Sequence, residues 1–177
     1  MVGKVSFSGD DIRIESIAEW KKDIDISIEN YFSTFNQSLA ARFRGSSHEE
    51  LLEIKLKRLK EVEFSAELKL LAALEAAFRI DYLQRVYSRK KDSLSRAFRT
   101  LYKQRGSRAR LEDDILTLWA QNTNGTIIFG ELKAAFKYRH WLAHGRYWTP
   151  KLGQQYDFYN LYSLSQSIFS NINLYTR

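Results

Sequence analysis

Ser65-Ala-Glu-Leu-Lys-Leu-Leu-Ala-Ala-Leu-Glu-Ala-Ala-Phe-Arg-Ile-Asp-Tyr-Leu-Gln-Arg-Val-Tyr87 decides the fold. Leu68, Leu71, Leu74, Phe78 and Tyr82 recur at steps of three and four, the stripe of an amphipathic helix. The stretch sits inside an interval, Gly45 to Gly106, that holds neither glycine nor proline. Ser46 or Ser47 ahead of Glu49 and Glu50 predicts a helix start, because acids are favourable in a first turn. From there to about Lys60 the chain is lysine-rich and reads as a solvated helix. After Tyr87, a piece from roughly 92 to 103 carries Leu94, Ala97, Phe98 and Leu101.

Working outward, Ile17, Trp20, Ile24, Ile28, Tyr31, Phe35 and Leu39 predict one helix between Gly9 and Gly45. Ser16 is its expected N-cap, with Glu19 completing a capping box. The first dozen residues alternate weakly (Val5, Phe7; Ile12, Ile14), an extended pattern. On the other side, residues 111–119 read as a helix with Glu112, Asp113 and Asp114 in its first turn. Residues 123–130 read as a loop or a very short strand. Residues 131–143 form a helix that Gly145 should end. Pro150 falls in a loop, and a last helix runs from about 157 to 173 with Phe158, Leu161, Tyr162, Ile168, Phe169 and Ile172 on one face. The expectation is an all-α antiparallel bundle of about five to seven helices, folded as a single domain.

Composition narrows the function. The 177 residues suit one domain, and 44% hydrophobic with 28% charged residues describes a packed globule. Lys plus Arg is 28 against 21 Asp plus Glu, a net charge of +7 that favours anionic partners, most simply nucleic acid. The absence of cysteine excludes disulfides, thiolate catalysis and cysteine-ligated zinc. The N-terminal residues lack the apolar run of a signal peptide, and no stretch approaches the ~20 apolar residues of a membrane span. The expected address is cytoplasmic, with no membrane partner.

Chemistry concentrates in Glu131-Leu-Lys-Ala-Ala-Phe-Lys-Tyr-Arg-His-Trp-Leu-Ala-His-Gly-Arg-Tyr-Trp148. Leu132, Phe136, position 139 and Ala143 would form the apolar stripe, yet position 139 holds arginine. A guanidinium there is costly unless it is paired or faces a wet cleft. His140 and His144 stand four apart and so share one helix face. Two imidazoles and a guanidinium fit RNA cleavage without a metal. A base takes the proton of the ribose 2′-OH, an acid protonates the departing 5′-oxygen, and imidazole does either near neutral pH. Arginine stabilises the charge that builds on the phosphorus. Among residue clusters of this kind, structural ones are also common.

Arg139-His140-Trp141-Leu142-Ala143-His144 resembles the arginine-x4-histidine signature of HEPN domains. The longer run from Phe136 to Trp148 resembles the RiboL-PSP branch of that superfamily, as do Leu74 to Tyr82 and Leu111 to Leu116. The likeness spans roughly residues 65–175, on which the N-terminal helix (about 16–44) would pack. It implies a helical bundle and a metal-independent endoribonuclease of the toxin or defence type, with no cofactor. It also implies a composite site, built where two protomers of a homodimer bring their arginine–histidine helices together. Arg139 would bind and stabilise the scissile phosphate, His144 would act as acid or base, and His140 would orient the phosphate or its partner residue. An antitoxin or a defence-system protein would restrain the activity. The tyrosine that some HEPN toxins carry two residues past the histidine is here Tyr147, three residues on, which counts against its modification.

Further residues support the site. Asp81 lies on the core row Leu70, Leu74, Ala77, and Glu75 on the row of Leu71, Phe78 and Tyr82. Such acids need a partner: Arg139 or a protonated histidine, or else Arg79 or Arg85 in a structural salt bridge. Residues 85–110 hold ten basic side chains and one acid, Asp92, a net of +9, so the rest of the chain is −2. Arg85, Arg89, Arg96, Arg99 and Lys103 recur near helical spacing and are the expected RNA-backbone contacts, joined by Arg146 beside the motif. Tyr147 and Trp148 suit packing, a dimer interface or base stacking. His-x-x-x-His is also a metal-ligand spacing, but Trp141 stands where a metalloprotease has glutamate, and no cysteine or third nearby histidine completes a set. The runner-up to the nuclease is a non-catalytic HEPN-like module that binds RNA or protein. A basic helical DNA-binding protein is a more remote third.

Overall fold

The computed structural model describes residues 4–10, 12–33, 37–123 and 126–175. Among them the regular elements are all helical: α1 (Ile14–Tyr31), α2 (Gln37–Arg42), α3 (His48–Tyr87), α4 (Ser93–Arg105), α5 (Leu116–Asn122), α6 (Thr126–Ala143) and α7 (Phe158–Asn171). A 3-10 turn at Gly106–Arg108 and a π-helical turn at Leu111–Ile115 connect α4 to α5. The chain is an all-α bundle, as the periodicity predicts.

α3 organises the molecule. Its 40 residues span ~60 Å at ~1.5 Å per residue. The solvated piece and the core piece are thus one continuous helix, because nothing between them breaks the backbone hydrogen bonds. Ser47 caps it: its hydroxyl accepts from the Glu50 N–H at 3.1 Å, and the Glu50 carboxylate accepts from the Ser47 N–H at 2.8 Å. Residues 48–64 include no fully buried side chain, whereas Leu70, Leu71, Leu74 and Phe78 are wholly buried. The second half of α3 is therefore the central core helix.

Cross-contacts set the directions. Phe129, Tyr138 and Trp141 of α6 meet Phe78, Glu67 and Phe64 respectively, so α6 runs antiparallel to α3. Arg85 bonds Asp92 just before α4 and Arg79 bonds the Ala109 carbonyl past its end, so α4 also returns antiparallel, with Tyr82 edge-on to Phe98 at 5.1 Å. Tyr156 stacks on Tyr138 ahead of α7, and the Tyr175 N–H reaches Asp81 beyond it, so α7 runs parallel to α3. Lys69 over Trp20, the Lys55–Glu29 ion pair and Arg58 over Tyr31 align α1 antiparallel. One apolar cluster from Ile14 to Ile168 joins α1, α3, α4, α5, α6 and α7.

Several expectations change. The helix read between Gly9 and Gly45 is two. α1 stops at Tyr31, where Tyr31, Phe32 and Phe43 gather around the Arg58 guanidinium and turn the chain back. Phe35 lies outside the described residues. Ser16 is not the cap either: α1 begins at Ile14 after Arg13, so that Ile14 and Ile17 enter the core. Residues 126–130 are helix rather than loop or strand, because Phe129 is buried against Phe78 and Trp119 and carries Gly130 with it. The N-terminal residues 4–10 make no strand, and the Val5 N–H donates to the Tyr87 hydroxyl at 2.9 Å.

Candidate active site

The end of α6 is fixed from within. The Arg146 N–H bonds the Trp141 carbonyl at 3.1 Å and Gly145 sits at φ +78°, a Schellman turn that glycine permits without steric cost. Beyond it the Trp141 indole N–H donates to the Trp148 carbonyl at 2.6 Å. That bond folds residues 144–148 back over the helix end.

The buried side of α6 differs from the expected stripe. Phe129, Leu132, Ala135, Phe136, Tyr138 and Leu142 face the interior. Tyr138 points to the core and donates to the wholly buried Glu67 at 2.6 Å. The inward row therefore passes through 138 and 142 rather than 139 and 143, which puts Arg139 at the rim, about one-third exposed. Its guanidinium bridges Glu75 at 2.8 Å, and the other Glu75 oxygen holds Arg79 at 2.7 Å. Arg79 in turn donates to the Ala109 carbonyl at 3.1 Å. Of the two expected acids, Glu75 is the one at Arg139.

His140 and His144 are both exposed, with ring centroids 4.2 Å apart. His140 also stands 5.9 Å from the Trp148 ring. Arg139, His140 and Trp148 line a cleft of about 310 Å³ together with Glu112, Phe136, Lys137, Pro150, Lys151 and Leu152. His144 lies outside that lining, one turn further along the same face. Burial pushes the Glu112 carboxyl above its ordinary value, and Asp113 adds to the rise against the pull of Lys137, Arg139 and Lys133. Among the described residues no group of three His, Asp or Glu side chains is placed to hold a metal ion.

Asp81 is elsewhere. It is wholly buried, accepts from Arg85 at 2.8 Å, from the Trp119 indole at 3.1 Å and from the Tyr175 N–H at 2.8 Å, and does not meet Arg139. The geometry is that of the structural salt bridge. Arg85, expected among the RNA contacts, is buried for the same reason and also donates to Asp92 and to the Asn173 carbonyl. Arg146 is held by Glu61 at 2.8 Å and lies over the Phe64 ring. Arg99 donates to the Lys90 carbonyl. Arg89, Arg96 and Lys103 are exposed and make no ion pair among the described residues. Arg89 lies in the turn past Tyr87, the last residue of α3, which is 12 residues and ~18 Å along the axis from Glu75.

Glu112, Lys137 and Lys151 are not singled out for the site by the sequence, whereas Trp148 is, among other roles, a candidate for base stacking. Glu112 read as an acid favouring a helix start, and its only other signal was the likeness of Leu111 to Leu116 to the same branch. Comparison with protein-family models, with curated proteins and with solved structures returns no match.

Proposed function

We propose that the chain is a metal-independent endoribonuclease of HEPN type, acting through Arg139, His140 and His144 in a composite homodimeric site. The observation that carries the reading is the pair of exposed imidazoles, 4.2 Å apart, beside a guanidinium at a cleft rim. One imidazole takes the 2′-OH proton and an imidazole, from the same or the second copy, returns a proton to the leaving 5′-oxygen. Arg139 turns from Glu75 to the phosphate as charge develops there, and the half-buried Glu75 keeps Arg79 as its partner. Glu112, with its proton affinity raised, supplies a further proton-holding group on the cleft wall. Its toxin or defence role would call for an antitoxin or defence-system partner.

The present Arg139–Glu75 pair also favours a second reading, a catalytically silent module that binds RNA or protein, since the guanidinium is already neutralised. Total RNA incubated with wild type, Arg139→Ala and His144→Ala separates the two. The nuclease predicts cleavage by wild type in EDTA and a loss of at least ~100-fold in either variant, within the range that a general acid–base group or a donor to developing charge supplies. Salt-sensitive binding with no cleavage by any form selects the module. A wild-type monomer by ultracentrifugation that still cuts RNA would contradict the composite site.

A further inference from the structure

We infer that the cleft is a seat for one unpaired nucleotide, its base stacked on Trp148 and its phosphate held by Lys137, Arg139 and Lys151. The inference rests on the proposed RNA reading and narrows its substrate to unpaired RNA at the cut.

The cleft lining is of two chemical kinds. Lys137, Arg139 and Lys151 bring three cations, with Glu112 as the acid among them. Phe136, Trp148, Pro150 and Leu152 bring apolar surface. A nucleotide has the same division, an anionic group joined to a flat apolar face. The volume of about 310 Å³ lies at the small end of ligand clefts, enough for one such unit and too little for a paired duplex.

Trp148 is anchored as a platform. Its carbonyl is fixed by the Trp141 indole at 2.6 Å, and Tyr147, 84% exposed, packs edge-on to its ring at 4.6 Å. Its own indole N–H makes no hydrogen bond among the described residues. An aromatic ring held by its backbone, half-open to solvent, is what an unstacked base needs, whereas a paired base has both faces covered by its neighbours. The ring lies 5.9 Å from His140, so a base on it would carry its adjoining phosphate toward the imidazole pair.

Isothermal titration with AMP, UMP, ribose 5-phosphate and inorganic phosphate tests the seat. The nucleotides should bind wild type about tenfold more tightly than ribose 5-phosphate, the order of one base–aromatic stack. Trp148→Phe should keep most of that increment, and Trp148→Ala should erase it while ribose 5-phosphate binding stays. As a check independent of that variant's folding, AMP but not ribose 5-phosphate should shift the Trp148 indole N–H resonance of wild type. Equal binding of all four probes, no binding of any, an increment that survives Trp148→Ala, or an unmoved indole resonance would overturn the inference. A base increment without RNA cleavage would sink the nuclease and leave the seat. Cleavage without a base increment would do the reverse.

Discussion

Asp81 and Glu75 are six residues apart on α3, and their surroundings assign them different work. Asp81 is wholly buried and feeds Arg85, Trp119 and Tyr175. Asp81→Ala strands the buried Arg85, so stability should fall by about 3 kcal/mol, the lower end for breaking a buried pair because Asp92 and the Asn173 carbonyl remain. The melting midpoint should drop by roughly 6–12 °C; an unchanged midpoint would return Asp81 to the list of site residues. Glu67 makes a pH-dependent contribution. Burial pushes its carboxyl up, Glu63 and Asp157 add to the rise, and the Tyr138 hydroxyl and Lys60 oppose it. One of its oxygens has no partner. The folded value exceeds the unfolded one, so this group's stabilisation is present below the ordinary carboxylate range and lost as pH rises through the raised value. From pH 7 to 5 the midpoint of wild type should therefore climb relative to Glu67→Gln. Parallel profiles would contradict the assignment.

At the scale of elements, the end of α6 is where backbone geometry and chemistry meet. Gly145→Ala places a Cβ at φ +78°, with nothing within 4 Å to clash, so the cost is conformational and about 1 kcal/mol. Thermal melting should register that loss, and no change would mean that another turn replaces this one. Long-period features were legible in the sequence: the α3 stripe, the Ser47 cap and the Gly145 stop all follow from local spacing. Features decided by tertiary contact were not. Phe129 pulls 126–130 into helix through burial against α3 and α5, and the aromatic cluster on Arg58 ends α1 early. The stripe of α6 was misplaced by one position because Tyr138, amphipathic by nature, takes the inward place through its hydroxyl bond to Glu67. Arg139, His140 and His144 stood out in the sequence by residue type and spacing, while the cleft that the first two line needed residues 112 and 148–152 brought in by the fold.

Across the whole molecule, charge and site are spread along α3. α4 carries exposed cations from the α3–α4 turn, ~18 Å from the level of Glu75, back toward the Ala109 carbonyl that Arg79 holds. RNA lying along that path would release counterions, so log affinity should fall steeply with log salt. Replacing Arg96 and Lys103 by Glu should flatten the slope by about 0.7 for each phosphate contact removed from a single strand; a slope indifferent to both changes would deny the path. No helix among the described residues is long and apolar enough to cross a membrane. The most direct measurement of the proposed chemistry is the end-group analysis of RNA exposed to wild type in EDTA. Attack by the 2′-OH predicts 2′,3′-cyclic phosphate and 5′-hydroxyl ends, none of them formed by His144→Ala or from a strand with 2′-deoxyribose at the cut. Cleavage that persists in that variant or on that strand, or RNA left intact by a folded wild type, would contradict it.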